Sequence, residues 1–285
     1  MTQTHTLINS AKINDTALDA GQISALTHEE AGALAREELN RFLAVVESLS
    51  GADWQQPTDC TEWSVRDILA HQAGSYASNA SWAEFMRQGR AKPGPGQLKV
   101  DAINARQLAD RADRSPAELI SELRRVGPRA INVRQGLPRL LRKLRIPFGP
   151  PLGTTTVEYL TDLIFTRDTW SHRMDICRAT SRPFTQTPEH DGRQVALVMR
   201  DLAQKLPEYL GGQSVIFDLS GPAGGRYRID QTREPSAIIK MDMIQFSRLA
   251  SDRITQAEAK AQSLITISGD HNFADQVLAR ISVPY

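Results

Sequence analysis

The chain has 285 residues, of which 40% are hydrophobic and 24% are charged, and its formal net charge is +1. These values are typical of a globular protein with enough residues for one large domain or two ordinary ones. A nearly neutral chain creates no overall field that would recruit nucleic acid or an acidic membrane, so such a partner would need a local patch. No run of about 18 apolar residues occurs, which excludes a membrane-spanning helix.

The two cysteines and the N-terminus indicate the cellular compartment. Cys60 and Cys177 are too few for a disulfide framework and form no Cys-x-x-Cys pair. We interpret Cys60 as a small loop residue and Cys177 as an inert core residue. Residues 1–26 are polar, without the apolar stretch of a secretory signal, and are predicted to form a leader that is loose or packed as a short helix. A reducing, cytoplasmic location is the simplest interpretation.

The next part of the chain, residues 27–185, is predicted to form a bundle of four long helices. The first covers residues 28–50, where apolar residues recur at spacings of three and four. The second begins at Ser64, which can cap the helix together with Asp67, and it extends to about Arg87.

The second half of this bundle is interrupted by one long connection. A helical region over roughly 101–134 contains a helix start at Ser115, with proline and glutamate in the following turn. Four prolines and three glycines exclude a helix interior from residues 136–153. The fourth long helix opens at Thr155 and ends before Pro183.

From residue 190 to 285 the pattern changes to that of a smaller α+β domain. A helix near 191–206 comes first. The other expected elements are strands over 214–220, 226–229, 237–241 and 264–268, and helices over 243–251 and 273–281.

The strongest chemical signal is a set of metal-ligand side chains on the predicted bundle. Asp168 and His172 lie four residues apart on the fourth helix, so they share one face and can bind one ion. Asp175 follows on the same stripe and either orients His172 or pairs with Arg178 on the surface. His71 lies at the border of its helix's apolar face, where it is either a core-edge histidine or a third ligand contributed by a facing helix. Two imidazoles and one carboxylate leave open coordination positions, as in catalytic sites.

Two stretches of the chain carry longer motifs. One is Trp54 together with Pro57–His71 (PTDCTEWSVRDILAH), and the other is Arg167–Pro183 (RDTWSHRMDICRATSRP). Both resemble the signatures of the mycothiol-dependent maleylpyruvate isomerase family, within the broader DinB-like metalloprotein group. The tail from about residue 190 is similar to that family's C-terminal domain, which has a sterol-carrier-like α+β fold.

This resemblance implies a four-helix bundle that binds zinc, or another divalent ion, through His71, Asp168 and His172. The characterised isomerase has glutamate at the position of Asp168, so a shorter arm would hold the ion here. A C-terminal-domain arginine takes part in catalysis in the family, and Arg253 is the matching candidate. The implied chemistry is activation of a low-molecular-weight thiol such as mycothiol, for S-transfer or for cis–trans isomerisation of a small substrate.

Two other functions stay open at this point. The protein is alternatively a binding module whose C-terminal domain holds an apolar ligand while the bundle is a scaffold. It is also compatible with a metal-dependent hydrolase that uses a zinc-bound water. The residues do not select the substrate, the metal, the thiol or the oligomeric state.

Several other polar residues fit no motif. The segment from Arg124 to Arg145 carries eight basic residues and no Asp or Glu. It is compatible with a solvated loop, with a lid over the metal pocket, or with a membrane-surface contact. Aromatic residues for base stacking are absent until Phe148, which disfavours nucleic acid. Four further histidines have no partner at ligand spacing and are predicted to face solvent: His5, His28, His190 and His271.

Overall fold

The structure of the protein, a computed structural model, describes residues 17–149, 152–230 and 234–285. Its α-helices are, in chain order, α1 (His28–Glu47), α2 (Val65–Ala80), α3 (Trp82–Gly89), α4 (Lys99–Ala109), α5 (Pro116–Gln135), α6 (Arg139–Arg142), α7 (Phe165–Ala179), α8 (Arg193–Lys205), α9 (Pro207–Leu210), α10 (Met243–Ala250), α11 (Gln256–Ala261) and α12 (His271–Leu278). Four of them, α1, α2, α5 and α7, pack together as the bundle, while α3 and α4 connect α2 to α5. The mainly helical fold predicted from the sequence is confirmed.

A small mixed sheet covered by helices is built mainly from the second half of the chain. The strands are β1 (Leu18–Asp19), β2 (Arg145–Gly149), β3 (Gly153–Thr156), β4 (Val215–Ser220), β5 (Gly225–Ile229), β6 (Ala237–Asp242) and β7 (Thr266–Gly269). Five of them form one sheet in the order β1-β5-β4-β6-β7, and β2 and β3 form a separate hairpin. Strand β4 pairs antiparallel with β5 and parallel with β6. Helices α8, α10 and α12 pack on this sheet, so the predicted α+β region is also confirmed.

Side-chain caps begin the bundle helices where the sequence indicates. Ser64 precedes α2, and its hydroxyl accepts a hydrogen bond from the backbone N–H of Asp67, whose carboxylate accepts one from the backbone N–H of Ser64. Ser115 and Glu118 make the same reciprocal pair at the start of α5. Each pair satisfies amide groups that the first turn of a helix leaves without partners.

The helix boundaries differ from the predicted ones in several places: the first helix ends at Glu47 instead of Ser50, and Thr155, the predicted start of the fourth, lies in β3. The second predicted helix is broken at Ser81, whose extended backbone ends α2 and whose side chain caps α3. The region predicted as helical over 101–134 is divided into α4 and α5. The connection over 136–153 contains α6 and the β2–β3 hairpin, and a π-helical segment, Tyr159–Ile164, leads directly into α7. Local pattern alone did not locate the break at Ser81, because the sequence on both sides of it is helix-forming, whereas the helix start at Ser115 was predicted.

The polar leader predicted over residues 1–26 is packed from residue 17 onward; residues 1–16 lie outside the described part. Strand β1 adds to the edge of the sheet in parallel with β5. Ala20 and Ile23 are buried in the core of the C-terminal region. This short segment therefore packs with the far end of the chain, although its sequence has no strand periodicity.

Helix α7 contributes to two hydrophobic clusters, one inside the bundle and one around the five-stranded sheet. Ile176 packs with apolar residues of α1, α2 and α5 inside the bundle. Trp170 and Met174, on another face of the same helix, pack with the sheet and with α8 and α10. Side chains on α7 are therefore held from two directions. The division of the chain into domains near residues 185–190 stays a prediction.

Gly74 of α2 is a point of close helix contact. A Cβ atom at this position would lie 2.7 Å from both Cβ and Cγ of Gln107 in α4. Gly74→Ala is therefore expected to destabilise the fold by about 1–3 kcal/mol through overpacking, although alanine is the better helix former. Gly89→Ala in α3 is the matched control, because a Cβ there meets no atom within 4 Å. Urea unfolding of both variants measures the difference, and equal stabilities would contradict the expectation.

Candidate metal centre

Three predicted ligands converge between α2 and α7. His71 comes from α2, and Asp168 and His172 lie one turn apart on α7. Their ligand atoms all lie within 4.8 Å of one another. The Nε2 atom of His71 is 3.4 Å from Oδ2 of Asp168, and Nε2 of His172 is 3.4 Å from Oδ1 of the same carboxylate. Both imidazoles are buried, and Asp168 is partly accessible.

A chain of buried amides orients the ring of His71. The backbone carbonyl of Gly74 accepts a hydrogen bond from Nε2 of Gln88 (2.9 Å), and Oε1 of Gln88 accepts from Nε2 of Gln107 (2.8 Å). Because the carbonyl can only accept, Oε1 of Gln107 faces Nδ1 of His71 at 2.8 Å and requires a proton there. The lone pair of the neutral ring is therefore on Nε2, which faces Asp168.

His172 is oriented by an acidic and a basic residue. Its Nδ1 lies 3.0 Å from Oδ2 of Asp175, leaving Nε2 toward the ligand cluster. Arg253, in the turn after α10, donates to both oxygens of Asp175 at 3.4 and 3.2 Å. Of the two roles considered for Asp175, the structure has the contact with His172, while Arg178 pairs with Asp59 instead. Arg253 is thus connected to the candidate ligand His172 through the side chain of Asp175.

A third set of hydrogen bonds holds Asp168. Nε2 of Gln72 donates to Oδ2 of Asp168 at 2.7 Å. The hydroxyl of Thr169 donates to Oε1 of Gln72 at 2.9 Å. The hydroxyl oxygen of Tyr76 lies 3.1 Å from Oγ1 of Thr169. These contacts hold one oxygen of the carboxylate from the bundle interior. All three candidate ligands are therefore held by residues that are not ligands themselves.

The charged groups of the cluster shift one another's pKa. Burial alone would raise the pKa of Asp168, but the neighbouring His172 and His71 bring it well below its usual range. Burial would lower the pKa of His172, whereas the carboxylates of Asp168 and Asp175 raise it well above the usual value. Burial alone would raise the pKa of Asp175, but Arg253 and His172 lower it below the usual value. The site thus favours ionised carboxylates.

Two residues beside the cluster were not predicted as part of it. The indole of Trp63 lies against the rings of His71 (4.9 Å between centroids) and His172 (5.7 Å). The Sγ atom of Cys60 is 3.4 Å from Oδ2 of Asp175 and 3.9 Å from Nδ1 of His172. The interpretation of Cys60 as only a small loop residue therefore omitted a site contact. By contrast, Cys177 is buried, and burial raises the pKa of its thiol to about 11.

A second buried group of potential ligands is an ion-pair network. Glu38, His190 and Asp191 lie close together, but Arg173 donates to Glu38 at 2.7 Å and to Asp191 at 2.6 Å. Arg41 adds a second contact to Asp191 at 3.1 Å. These guanidinium groups already supply the positive charge that a metal would bring. His190 is buried against Glu38, so its predicted exposure to solvent is wrong.

The other histidines that were predicted to face solvent differ in their exposure. His28 is only partly exposed, with Nδ1 2.7 Å from Oδ2 of Asp162 and Nε2 3.0 Å from the carbonyl of Gln135. His271 is exposed at the start of α12, as predicted, and His5 lies outside the described residues. Neither described residue contributes to the cluster around Asp168.

The basic segment does not form one continuous surface. Arg134 is buried, and its guanidinium lies 5.7 Å from the ring centroids of both Tyr76 and Phe165. Arg142 turns inward, and one of its Nη atoms lies 3.5 Å from a carboxylate oxygen of Glu158. The interpretation as a solvated loop thus fails for these residues. The exposed basic residues of the segment are divided between α5, which carries Arg124, Arg125 and Arg129, and the stretch of α6 and the adjoining hairpin.

The described fold and cluster define a class: a four-helix bundle with a His–Asp–His candidate metal centre, followed by an α+β region. The family model described as "Mycothiol maleylpyruvate isomerase N-terminal domain" matches residues 35–177, half of the chain. The chain belongs to this family.

Known structures share the fold. The chain is similar to the crystal structure of the mycothiol-dependent maleylpyruvate isomerase, and to that of a point mutant of it. For each the TM-score is 0.55 at 16% sequence identity, with 85% of this chain and 93% of the other covered. No curated protein matches the chain. Within the described residues, no helix is both long and apolar enough to cross a bilayer.

Proposed function

We propose that this protein is a divalent-metal-dependent enzyme that activates a low-molecular-weight thiol of the mycothiol class. The activated thiol serves S-transfer or the cis–trans isomerisation of a small substrate. The observation that carries the proposal is the convergence of His71, Asp168 and His172, with ligand atoms within 4.8 Å of one another. Membership of a family named for mycothiol and maleylpyruvate isomerase supports the thiol and the reaction class.

The donor set fits a divalent ion such as zinc. Tetrahedral bonds of about 2.0–2.1 Å place neighbouring ligand atoms roughly 3.4 Å apart. Both nitrogen–oxygen separations, from Asp168 to His71 and to His172, are 3.4 Å. Two nitrogens and one oxygen also leave a position for a thiol.

A bound divalent ion would supply one property, which is a thiol that is deprotonated at neutral pH. The chain's own residues supply the positioning. Gln107 and Asp175 hold the two imidazoles with Nε2 toward the ligand cluster, and Gln72 holds the carboxylate of Asp168. Trp63 covers the two rings and limits access of water.

Arg253 is the proposed catalytic cation that binds an anionic group of the substrate. Its contacts with Asp175 and with the carbonyl of Ser251 engage three N–H groups of a guanidinium that has five. Burial would lower its pKa, but Asp175 raises it, so the guanidinium stays charged. The ion pair with Asp175 also links the position of this cation to that of His172.

Metal analysis followed by thiol titration tests the proposal. The purified protein is expected to contain about one divalent ion per chain, and mycothiol added to a cobalt-substituted sample should produce a sulfur-to-cobalt charge-transfer band. S-methyl mycothiol, which cannot form a thiolate, is the matched control. Turnover without any thiol would instead select a metal-dependent hydrolase. Failure to bind micromolar zinc, together with extractable lipid, would favour the apolar-ligand-binding module.

Gln107 is expected to control metal affinity without touching the metal. Gln107→Leu removes the acceptor that holds the proton on Nδ1 of His71, so metal affinity should fall roughly 10–100-fold. Competition with a chromophoric chelator measures this change, and thermal unfolding checks that the variant is folded. The exposed Gln262→Leu is the control for a glutamine-to-leucine change. Unchanged affinity in Gln107→Leu would remove this residue from the positioning network.

A further inference from the structure

An exposed apolar and basic surface is formed by a segment that takes no part in the candidate metal centre. It consists of residues 137–146, called here the leucine–arginine segment, which include α6 and the first strand residues of β2. Leu140 is 85% exposed, Leu144 51% and Leu141 48%. Ile146 is also exposed. Large apolar side chains clustered in this way on a surface mark an interaction site.

The charge of this surface is positive. Arg139, Lys143 and Arg145 are exposed between the leucines. The sequence contains no Asp or Glu between Glu122 and Glu158. Glu158 lies beside Lys143 at 3.0 Å and offsets part of the charge. The outward surface nevertheless alternates apolar side chains with cations.

The segment is anchored to the bundle at its inner side. Arg142 contacts Glu158 and Asp162 at 3.5 and 3.6 Å. The carbonyl of Leu144 accepts a hydrogen bond from the backbone N–H of Val157 at 3.0 Å. Strand β2 is paired with β3 from Arg145 onward. The exposed leucines are therefore presented by an ordered scaffold and have no place in the bundle core.

We propose that the leucine–arginine segment binds the surface of an anionic lipid bilayer. Leu140, Leu141 and Leu144 would enter the boundary between head groups and acyl chains, and Arg139 and Lys143 would lie against lipid phosphates. Apolar side chains combined with lysine and arginine are the composition of segments that lie in a membrane interface. Each basic residue near such a surface contributes through its attraction to the negative leaflet.

Other occupants fit the surface less well. A second copy of the chain in a two-fold contact would bring Arg139 and Lys143 against the same cations of its partner. A bound peptide requires a groove, whereas this surface projects outward, and a cleft lined by Arg87, Arg114 and Arg129 lies elsewhere in the described part of the chain. Exposed leucines do not stack nucleobases. The inference is independent of the metal centre.

Vesicle sedimentation tests the proposal with the full chain. Wild-type protein is expected to pellet with vesicles of phosphatidylcholine and phosphatidylserine, and not with phosphatidylcholine alone. Leu140→Glu/Leu144→Glu should abolish binding to the mixed vesicles. Arg139→Gln/Lys143→Gln should weaken it by roughly fivefold for each charge removed. Thermal unfolding establishes that both variants are folded.

The matched control is Trp82→Glu, which removes an exposed apolar side chain (75% exposed) from α3. This variant should bind the mixed vesicles as the wild type does. The proposal is overturned if the wild-type protein does not bind the mixed vesicles. It is equally overturned if Trp82→Glu weakens binding as much as Leu140→Glu/Leu144→Glu does. It is also overturned if sedimentation velocity shows a dimer that Leu140→Glu/Leu144→Glu dissociates, since the surface would then join two copies.

Discussion

From the proposed function, replacing His172 with alanine is expected to abolish binding of the divalent ion and, with it, thiol-dependent turnover. The change deletes one of the three candidate ligand atoms and leaves only those of Asp168 and His71. Loss of an outer hydrogen-bond partner costs roughly 10–100-fold in metal affinity, and loss of a ligand should exceed this range. Elemental analysis of the purified variant and a turnover assay with added thiol measure the two effects. His71→Ala should behave in the same way.

The exposed His271 at the start of α12 provides the matched control. His271→Ala should retain the ion and full turnover, because this ring has no contact with the cluster. Thermal unfolding of all three variants separates loss of the ion from loss of the fold. Stoichiometric metal in both His172→Ala and His71→Ala would contradict the assignment of the ligands. Metal loss with unchanged turnover would leave the ligand assignment intact and contradict the metal's catalytic role.

The part of the site that lies on one helix was readable from the sequence. Asp168 and His172 are separated by one turn of α7, and this spacing alone places both on one face. Predicting His71 as a ligand required knowing that α2 faces α7. The family resemblance implied this arrangement, and no local sequence pattern contains it. Helix starts at Ser64 and Ser115 were also predictable, because capping residues lie within three positions of one another.

The supporting residues could not be predicted in the same way. Gln107 lies on α4, in the part of the predicted helical region that precedes the helix start at Ser115, and a glutamine there is typical of a solvent-facing position. Its burial depends on the break before α5 and on the contact with Gly74. Cys60 and Trp63 belong to a loop that folds back so that the backbone of Thr58 bonds that of Trp63. Such a loop has no hydrophobic period from which its direction could be derived.

Contacts between distant parts of the chain were missed for a related reason. His190 bonds Glu38, which lies 152 positions earlier in the chain. Strand β1 has two residues and pairs with β5 from the far end of the chain. A polar residue or a very short strand carries no sign of such a partner, because its burial is determined by tertiary packing alone.

Arg173 is expected to be the most important single charge for stability. It is buried and donates to two fully buried carboxylates, Glu38 and Asp191. Arg173→Met keeps much of the side-chain volume but leaves these carboxylates with less compensating charge. Removing one partner from a buried ion pair typically destabilises a protein by about 3–5 kcal/mol. Urea unfolding followed by circular dichroism measures the loss.

Two further variants distinguish charge from bulk. Adding Glu38→Met to Arg173→Met removes one of the stranded carboxylates, so the double variant should recover part of the lost stability. Arg124→Met is the surface control, because Arg124 is exposed and pairs with Glu47 there. Its effect should stay within about 1 kcal/mol. If Arg124→Met destabilised the fold as much as Arg173→Met does, burial of the ion pair would not be the cause.

The destabilisation by Arg173→Met should also depend on pH. Burial alone would raise the pKa of Asp191, but Arg173 brings it below its usual value of 3.8. A carboxylate with a depressed folded pKa stabilises the fold fully above the unfolded pKa and loses this contribution as pH falls toward the folded pKa. The stability difference between wild type and variant should therefore be largest near about pH 7 and shrink below about pH 4. A stability difference that does not change with pH would instead assign the effect to packing of the guanidinium on Phe184. The Cζ atom of Arg173 lies 4.2 Å from the centroid of that ring.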